Sequence, residues 1–112
     1  MDLEIESWQT KIRNLAPAIE NAEFNLMKAE ADIKRLQATL ETKAVGLGCK
    51  TIAEQKRSAE AAQSLYDARL QYGVCKGALS SLKVQLKSIE VGFEEWRTKM
   101  VNRREEQKRY GA

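Results

Sequence analysis

Six basic residues flank a glycine-containing turn, and their side chains are the best suited to binding chemistry in this sequence. They are Lys34, Arg35, Lys43, Lys50, Lys56 and Arg57. Lys and Arg bind the phosphates of a nucleic-acid backbone through charge and hydrogen bonds. The net charge of the whole chain is only +3, so an anionic partner is permitted rather than required. Nucleic-acid binding is therefore one interpretation, and a charged helix surface that keeps the protein in solution is the other.

Residues that usually carry catalysis are absent or scattered. The 112-residue chain contains no His, which removes the commonest general base and a frequent metal ligand. Cys49 and Cys75 match no metal or redox spacing, and Cys75 falls on an apolar helix face, where we expect a buried free thiol. The carboxylates lie beside Lys and Arg at helical spacing, which is typical of solvated ion pairs. We expect no enzyme, cofactor or metal site.

Long helices are the elements that must position the basic residues. Apolar residues recur at alternating steps of three and four, which places them on one face of a helix in a heptad pattern. The longer stripe comprises Leu65, Ala68, Tyr72, Cys75, Leu79, Leu82, Leu86, Ile89, Phe93, Trp96 and Met100. The other comprises Trp8, Ile12, Leu15, Ile19, Ala22, Leu26, Ala29, Ile33, Leu36 and Leu40.

Proline and capping residues predict where these helices begin and end. At Pro17 either one helix kinks, or a short helix over 3–15 ends and a second runs over 17–44, which we prefer. A turn is predicted over 45–51. Thr51 and Glu54 then form a capping box, in which the Glu54 carboxylate accepts from the Thr51 amide, so a helix begins at Ile52. This long helix is predicted over 52–108, either continuous or broken near 73–77, where two glycines lie one turn apart.

These elements predict a single all-α domain over 1–112, an antiparallel helical hairpin or coiled-coil-like bundle with a long C-terminal helix. A hairpin centred near Leu47 would place Trp8 near Leu86 and leave the end of the last helix uncovered. The uncovered apolar residues are predicted to form an oligomer or partner interface: Ile89, Phe93, Trp96 and Met100. A weaker apolar line also indicates self-association: Leu70, Val74, Val84 and Val91.

No apolar run approaches the roughly 20 residues of a membrane span, and the acidic N-terminus is unlike a signal peptide. We expect no membrane association and a cytoplasmic location, which is the host cytoplasm if the protein is viral. From Arg97 onward the chain is basic, and the sequence leaves open whether this tail binds DNA or protein.

The segment over 72–83 resembles the UvsY family of T-even-phage recombination mediators, which carry a Cys-x-Gly-Ala-Leu-x-x-apolar-Lys run in their C-terminal half. The matching residues are Cys75, Gly77, Ala78, Leu79, Leu82 and Lys83. Lys34-Arg35-Leu36 falls where that family carries its DNA-binding basic residues. The resemblance implies a small, helical, ring-forming protein that loads a RecA-type recombinase onto single-stranded DNA covered by single-strand-binding protein. The turn here is shorter than in the family, and the basic tail has no counterpart.

Two functions remain from the sequence. The first is a homo-oligomeric mediator that binds single-stranded DNA and a RecA-type recombinase. The second is a coiled-coil interaction or assembly protein that binds another protein through its C-terminal helix.

Overall fold

The computed structural model describes residues 2–110, and all regular structure within that range is helical. Helix α1 spans Asp2–Gly46, α2 spans Ile52–Glu60 and α3 spans Gln63–Arg109. The prediction of an all-α fold is confirmed. No helix within 2–110 is long and apolar enough to cross a bilayer.

Both predicted apolar stripes are the covered faces of their helices. Every stripe residue from Trp8 to Leu40 in α1, and from Leu65 to Met100 in α3, is buried or half-buried. The weaker apolar line of α3 is exposed at all four positions: Leu70, Val74, Val84 and Val91. A heptad pattern places its residues on one side of a helix, so the choice of covered face follows from the sequence.

Helix α1 continues through Pro17, where the preferred prediction ended one helix and began another. Proline has no N–H to donate to the Arg13 carbonyl, and its ring crowds that carbonyl. Pro17 is exposed, so the crowded carbonyl lies on the side where water can bind it. Leu15 and Ile19 are half-buried on either side, and their packing keeps the helix in phase across the proline.

The predicted long helix over 52–108 is instead two helices, which are separated at Ala61 and Ala62. The two alanine N–H groups donate to carbonyls of the last turn of α2, at 3.0 and 3.1 Å. Ala59 and Leu65 are both almost completely buried. On one continuous helix these two residues would point about 120° apart, so the break lets both side chains turn inward.

The glycines of α3 do not break it, because the helix is continuous through Gly73 and Gly77. Glycine keeps its backbone N–H and costs only about 1 kcal/mol relative to alanine in a helix. The stripe residues around the glycines stay covered: Tyr72, Cys75 and Leu79. The packing of these side chains stabilises the helix by more than the two glycines destabilise it.

Helix α2 begins with Thr51 as its N-cap, and the Thr51 hydroxyl accepts from the Glu54 N–H at 3.1 Å. The other half of the capping box differs from the prediction. The Glu54 carboxylate accepts from the Lys50 N–H at 3.0 Å, one residue before the expected Thr51 amide. An unpaired N–H is satisfied in both arrangements, so the exchange preserves the cap.

The described residues fall into two compact units, unit 1 with residues 2–19 and 81–110 and unit 2 with residues 20–80. In unit 1, the ring of Trp8 contacts that of Phe93 edge to face, with centroids 6.3 Å apart. The predicted register, with Trp8 near Leu86, is therefore wrong by seven residues. Phe93 and Leu86 occupy the same heptad position, so the apolar pattern fits both registers and the connecting segments decide between them.

Candidate nucleic-acid interface

All six basic residues that the sequence proposes for nucleic-acid binding lie in unit 2, and all six are exposed. We call them the basic surface: Lys34, Arg35 and Lys43 on α1, Lys50 in the connection, and Lys56 and Arg57 on α2. Helix α2 buries Ala59 and half-buries Gln55 and Ser58, which leaves Lys56 and Arg57 on its outward side.

The basic surface is spread over α1, the connection and α2. Lys43, Lys50, Lys56 and Arg57 lie in or near the connection between α1 and α2. The pair formed by Lys34 and Arg35 lies about 12–14 Å before Lys43, given a rise of about 1.5 Å per helical residue. A backbone with regularly spaced phosphates fits such a surface better than a single small anion does.

No residue of the basic surface makes a salt bridge with any residue among 2–110. The two acids of α2 are engaged elsewhere, because Glu54 caps the helix and Glu60 accepts two hydrogen bonds from Arg69. The Arg69 Nη2 donates to Glu60 Oε1 at 2.7 Å. This contact holds the pKa of Glu60 below its ordinary value and raises that of Arg69. The six cations therefore lack an ion-paired carboxylate among residues 2–110. Three further acids nevertheless lie close to them in the α1 sequence: Glu30, Asp32 and Glu41.

Three exposed apolar residues lie among these cations, and none of them was predicted to be a functional residue. Val45, Leu47 and Ile52 are 55%, 72% and 70% exposed. The signal for them in the sequence is weak: Val45 and Ile52 do not continue the three-and-four spacing of either stripe, and Leu47 lies one heptad after Leu40 but inside the predicted turn. Unselected apolar residues beside a predicted binding surface are candidates for contact with the ligand.

The predicted interface residues of α3 are covered in part by their own chain, which contradicts the premise of that prediction. Phe93 contacts Trp8 and stacks on Trp96, whose centroid is 6.0 Å away. Trp96 Nε1 donates to the Glu4 carboxylate at 2.7 Å. Ile89, Phe93, Trp96 and Met100 are all half-buried. The N-terminal turns of α1 reach this stretch because the true register lies one heptad further along α3.

Unit 1 also contains an open apolar groove of about 700 Å³. Ile12, Val91 and Phe93 are its apolar lining, and its polar lining includes Glu90, Glu94 and Glu95. Charged residues of both signs line it, since Lys87 and Lys99 also contribute. A smaller groove of about 200 Å³ is lined by three of the predicted interface residues, Phe93, Trp96 and Met100.

Both cysteines are free and half-buried, so Cys75 is less enclosed than predicted. Gln71 Nε2 lies 3.7 Å from the Cys75 sulfur. Within residues 2–110, no three His, Cys, Asp or Glu side chains are grouped to hold a metal ion.

Comparison with known proteins identified no relative of this chain. No protein-family model matches this sequence, and no curated protein or solved structure matches it significantly.

Proposed function

We propose that this protein is an oligomeric, non-enzymatic mediator that binds single-stranded DNA through its basic surface and loads a RecA-type recombinase onto it. The observation that carries the DNA-binding part is the set of six exposed cations in one unit without a salt bridge. The recombinase and single-strand-binding-protein parts rest on the resemblance of residues 72–83 to the UvsY family.

The proposed architecture is an antiparallel hairpin of α1 with the two later helices, repeated in a homo-oligomer. Two contacts of unit 1 support antiparallel pairing, since Trp8 meets Phe93 while the earlier Glu4 meets the later Trp96. Several copies would display several basic surfaces to one strand. Repetition raises avidity, because each further contact on a bound strand is intramolecular.

The size of the electrostatic effect follows from the number of cations. Each phosphate neutralised on a single strand adds about −0.7 to the slope of log K against log salt. Six contacts per chain would give a slope of about −4, so affinity would fall about 300-fold between roughly 50 and 200 mM salt. A solvated helix surface without a ligand would show no such binding.

The test is titration of a fluorescently labelled oligo(dT) strand, followed by anisotropy, with two charge-reversal variants. K34E/R35E and K56E/R57E should each weaken binding by about tenfold or more at moderate salt. The matched control is R13E/K83E, which changes the net charge equally at two exposed positions of unit 1. Light scattering should give the same oligomer mass for all of them.

If the control and both variants lost equal affinity for oligo(dT), the basic surface would be refuted as the binding site. If the wild-type protein bound no oligonucleotide at low salt, the DNA-binding function would be wrong. Loading is tested separately, by the rate at which a RecA-type ATPase is activated on DNA coated with single-strand-binding protein. Strand binding without faster activation would refute the mediator role alone.

A further inference from the structure

The connection between α1 and α2 is a fixed structure. Gly48 has a φ of 96°, its N–H donates to the Val45 carbonyl at 3.1 Å, and the Cys49 N–H donates to the Ala44 carbonyl at 3.0 Å. These two bonds around a left-handed glycine form a Schellman motif. Gln55 Nε2 also donates to the Cys49 carbonyl, at 3.3 Å. Together with the Thr51 cap, they hold the backbone from both sides.

This fixed connection directs apolar side chains outward. Ala44 and Ala59, on the two helices that it joins, are almost completely buried. In contrast, Leu47 is 72% exposed and Ile52 is 70% exposed. A backbone held by several hydrogen bonds does not collapse to hide these side chains. They are therefore presented in a defined position, as a binding residue must be.

The same stretch alternates apolar and cationic positions. Lys43 precedes Leu47, Lys50 lies between Leu47 and Ile52, and Lys56 with Arg57 follows. A ligand that matches this pattern has regularly spaced negative charges and accessible apolar faces. Single-stranded nucleic acid has both, because its bases are not enclosed in a duplex. Leu and Ile side chains are among those that proteins insert between bases.

An anionic membrane surface is a poorer match. Membrane-surface helices bury a continuous apolar face. Ile52 is the only large apolar residue in α2, whose other exposed residues include Lys56, Arg57 and Glu60.

We propose that Leu47 and Ile52 contact the bases of the bound strand and thereby make the basic surface select single-stranded over duplex DNA. This inference rests on the proposed function. Lys and Arg alone would not select single-stranded over duplex DNA, because both carry phosphates. Apolar side chains can enter a duplex only by unstacking a base step, which has a free-energy cost, whereas a single strand offers its bases without that cost.

Salt dependence separates base contacts from phosphate contacts. In L47S/I52S, the dissociation constant for oligo(dT) should rise about tenfold while the slope against salt stays unchanged. Its affinity for a duplex of equal length should not change. In K56Q/R57Q, the slope should become shallower by about 1.4, because two phosphate contacts are lost. The control is V84S, which removes an equally exposed apolar side chain from unit 1.

A second variant reports contact directly. Ile52→Trp should bind oligo(dT) more tightly, and its tryptophan emission should be quenched when the strand is added. The inference is overturned if L47S/I52S binds single strands as tightly as the wild type, or loses single-strand and duplex affinity equally. It is also overturned if only binding to vesicles of anionic and zwitterionic lipid depends on Leu47 and Ile52. Absence of strand binding by the wild type would instead refute the proposed function itself.

Discussion

The indole of Trp96 donates a hydrogen bond of 2.7 Å to the carboxylate of Glu4, which is 92 positions earlier in the chain. Trp96 also stacks on Phe93, so one residue joins a polar contact to an aromatic cluster. Together with the contact between Trp8 and Phe93, the pair places the N-terminal turns of α1 beside this stretch of α3 within unit 1.

Removal of the Glu4 carboxylate should destabilise the fold moderately. Glu4→Ala loses a hydrogen bond to a charged acceptor but leaves the indole partly accessible to water, so we expect a loss of about 0.5–1.5 kcal/mol. Urea unfolding followed by tryptophan fluorescence measures this free energy. Glu6→Ala is the control, since Glu6 is exposed on the same helix, and an equal effect there would contradict a specific role for the pair.

Gly92 is required by the ring that lies on it. A Cβ at this position would be 2.9 Å from Trp8 Cη2 and 3.2 Å from Cζ3. The Trp8 ring also contacts Phe93 edge to face, and the ammonium of Lys11 lies 4.6 Å from its centroid. Gly92→Ala should therefore cost about 1–3 kcal/mol in the free energy of unfolding despite alanine's better helix propensity.

A glycine-to-alanine substitution elsewhere on α3 should instead increase the free energy of unfolding. A Cβ at Gly77 would meet nothing within 4 Å. Gly77→Ala should therefore stabilise the protein by up to about 1 kcal/mol, through helix propensity alone. Thermal unfolding by circular dichroism compares the two variants. If Gly92→Ala were as stable as Gly77→Ala, the placement of the Trp8 ring would be wrong.

Pro17→Ala should increase stability, because it restores the N–H that donates to the Arg13 carbonyl and removes the ring from an exposed position. We expect a gain of about 1–3 kcal/mol, less than the full cost of an interior proline because proline also restricts the unfolded chain. Urea unfolding gives the value. A loss of stability would indicate that the helix ends before Pro17 after all.

The contact between Glu60 and Arg69 should make stability depend on pH in the acid range. The pKa of Glu60 lies below its ordinary value of 4.5 in the folded protein, mainly because of the hydrogen bond from Arg69. A lowered folded pKa stabilises the protein above the unfolded pKa, and this contribution disappears as the pH falls through the folded pKa.

Arg69→Gln should accordingly be less stable than the wild type at neutral pH, with a difference that shrinks below pH 4.5 and disappears once Glu60 is protonated. Urea midpoints measured across this range test the sign. Arg13→Gln, at an exposed position outside the pair, should show a difference that does not vary with pH in this way. A constant difference for Arg69→Gln would show that the pair does not contribute through charge.

The helical fold and the covered face of each helix follow from the pattern of apolar residues along the chain. Stripe residues such as Ile12 and Leu79 are covered because a three-and-four spacing is a local property of the chain, independent of the partner. The exposure of the six cations could also be predicted from the sequence, because charged residues outside an apolar stripe remain in water. Their role in binding DNA stays a prediction.

The register of the helices, and with it the environment of Phe93 and Trp96, could not be derived from this pattern. A heptad pattern repeats every seven residues, so Trp8 fits Leu86 as well as Phe93, and the connecting segments select one. The break at Ala61 and Ala62 likewise depends on tertiary packing, because it is needed only for Ala59 and Leu65 to be buried together. The exposure of Leu47 and Ile52 depends on how a Schellman turn and a helix cap direct the backbone, which apolar spacing does not encode.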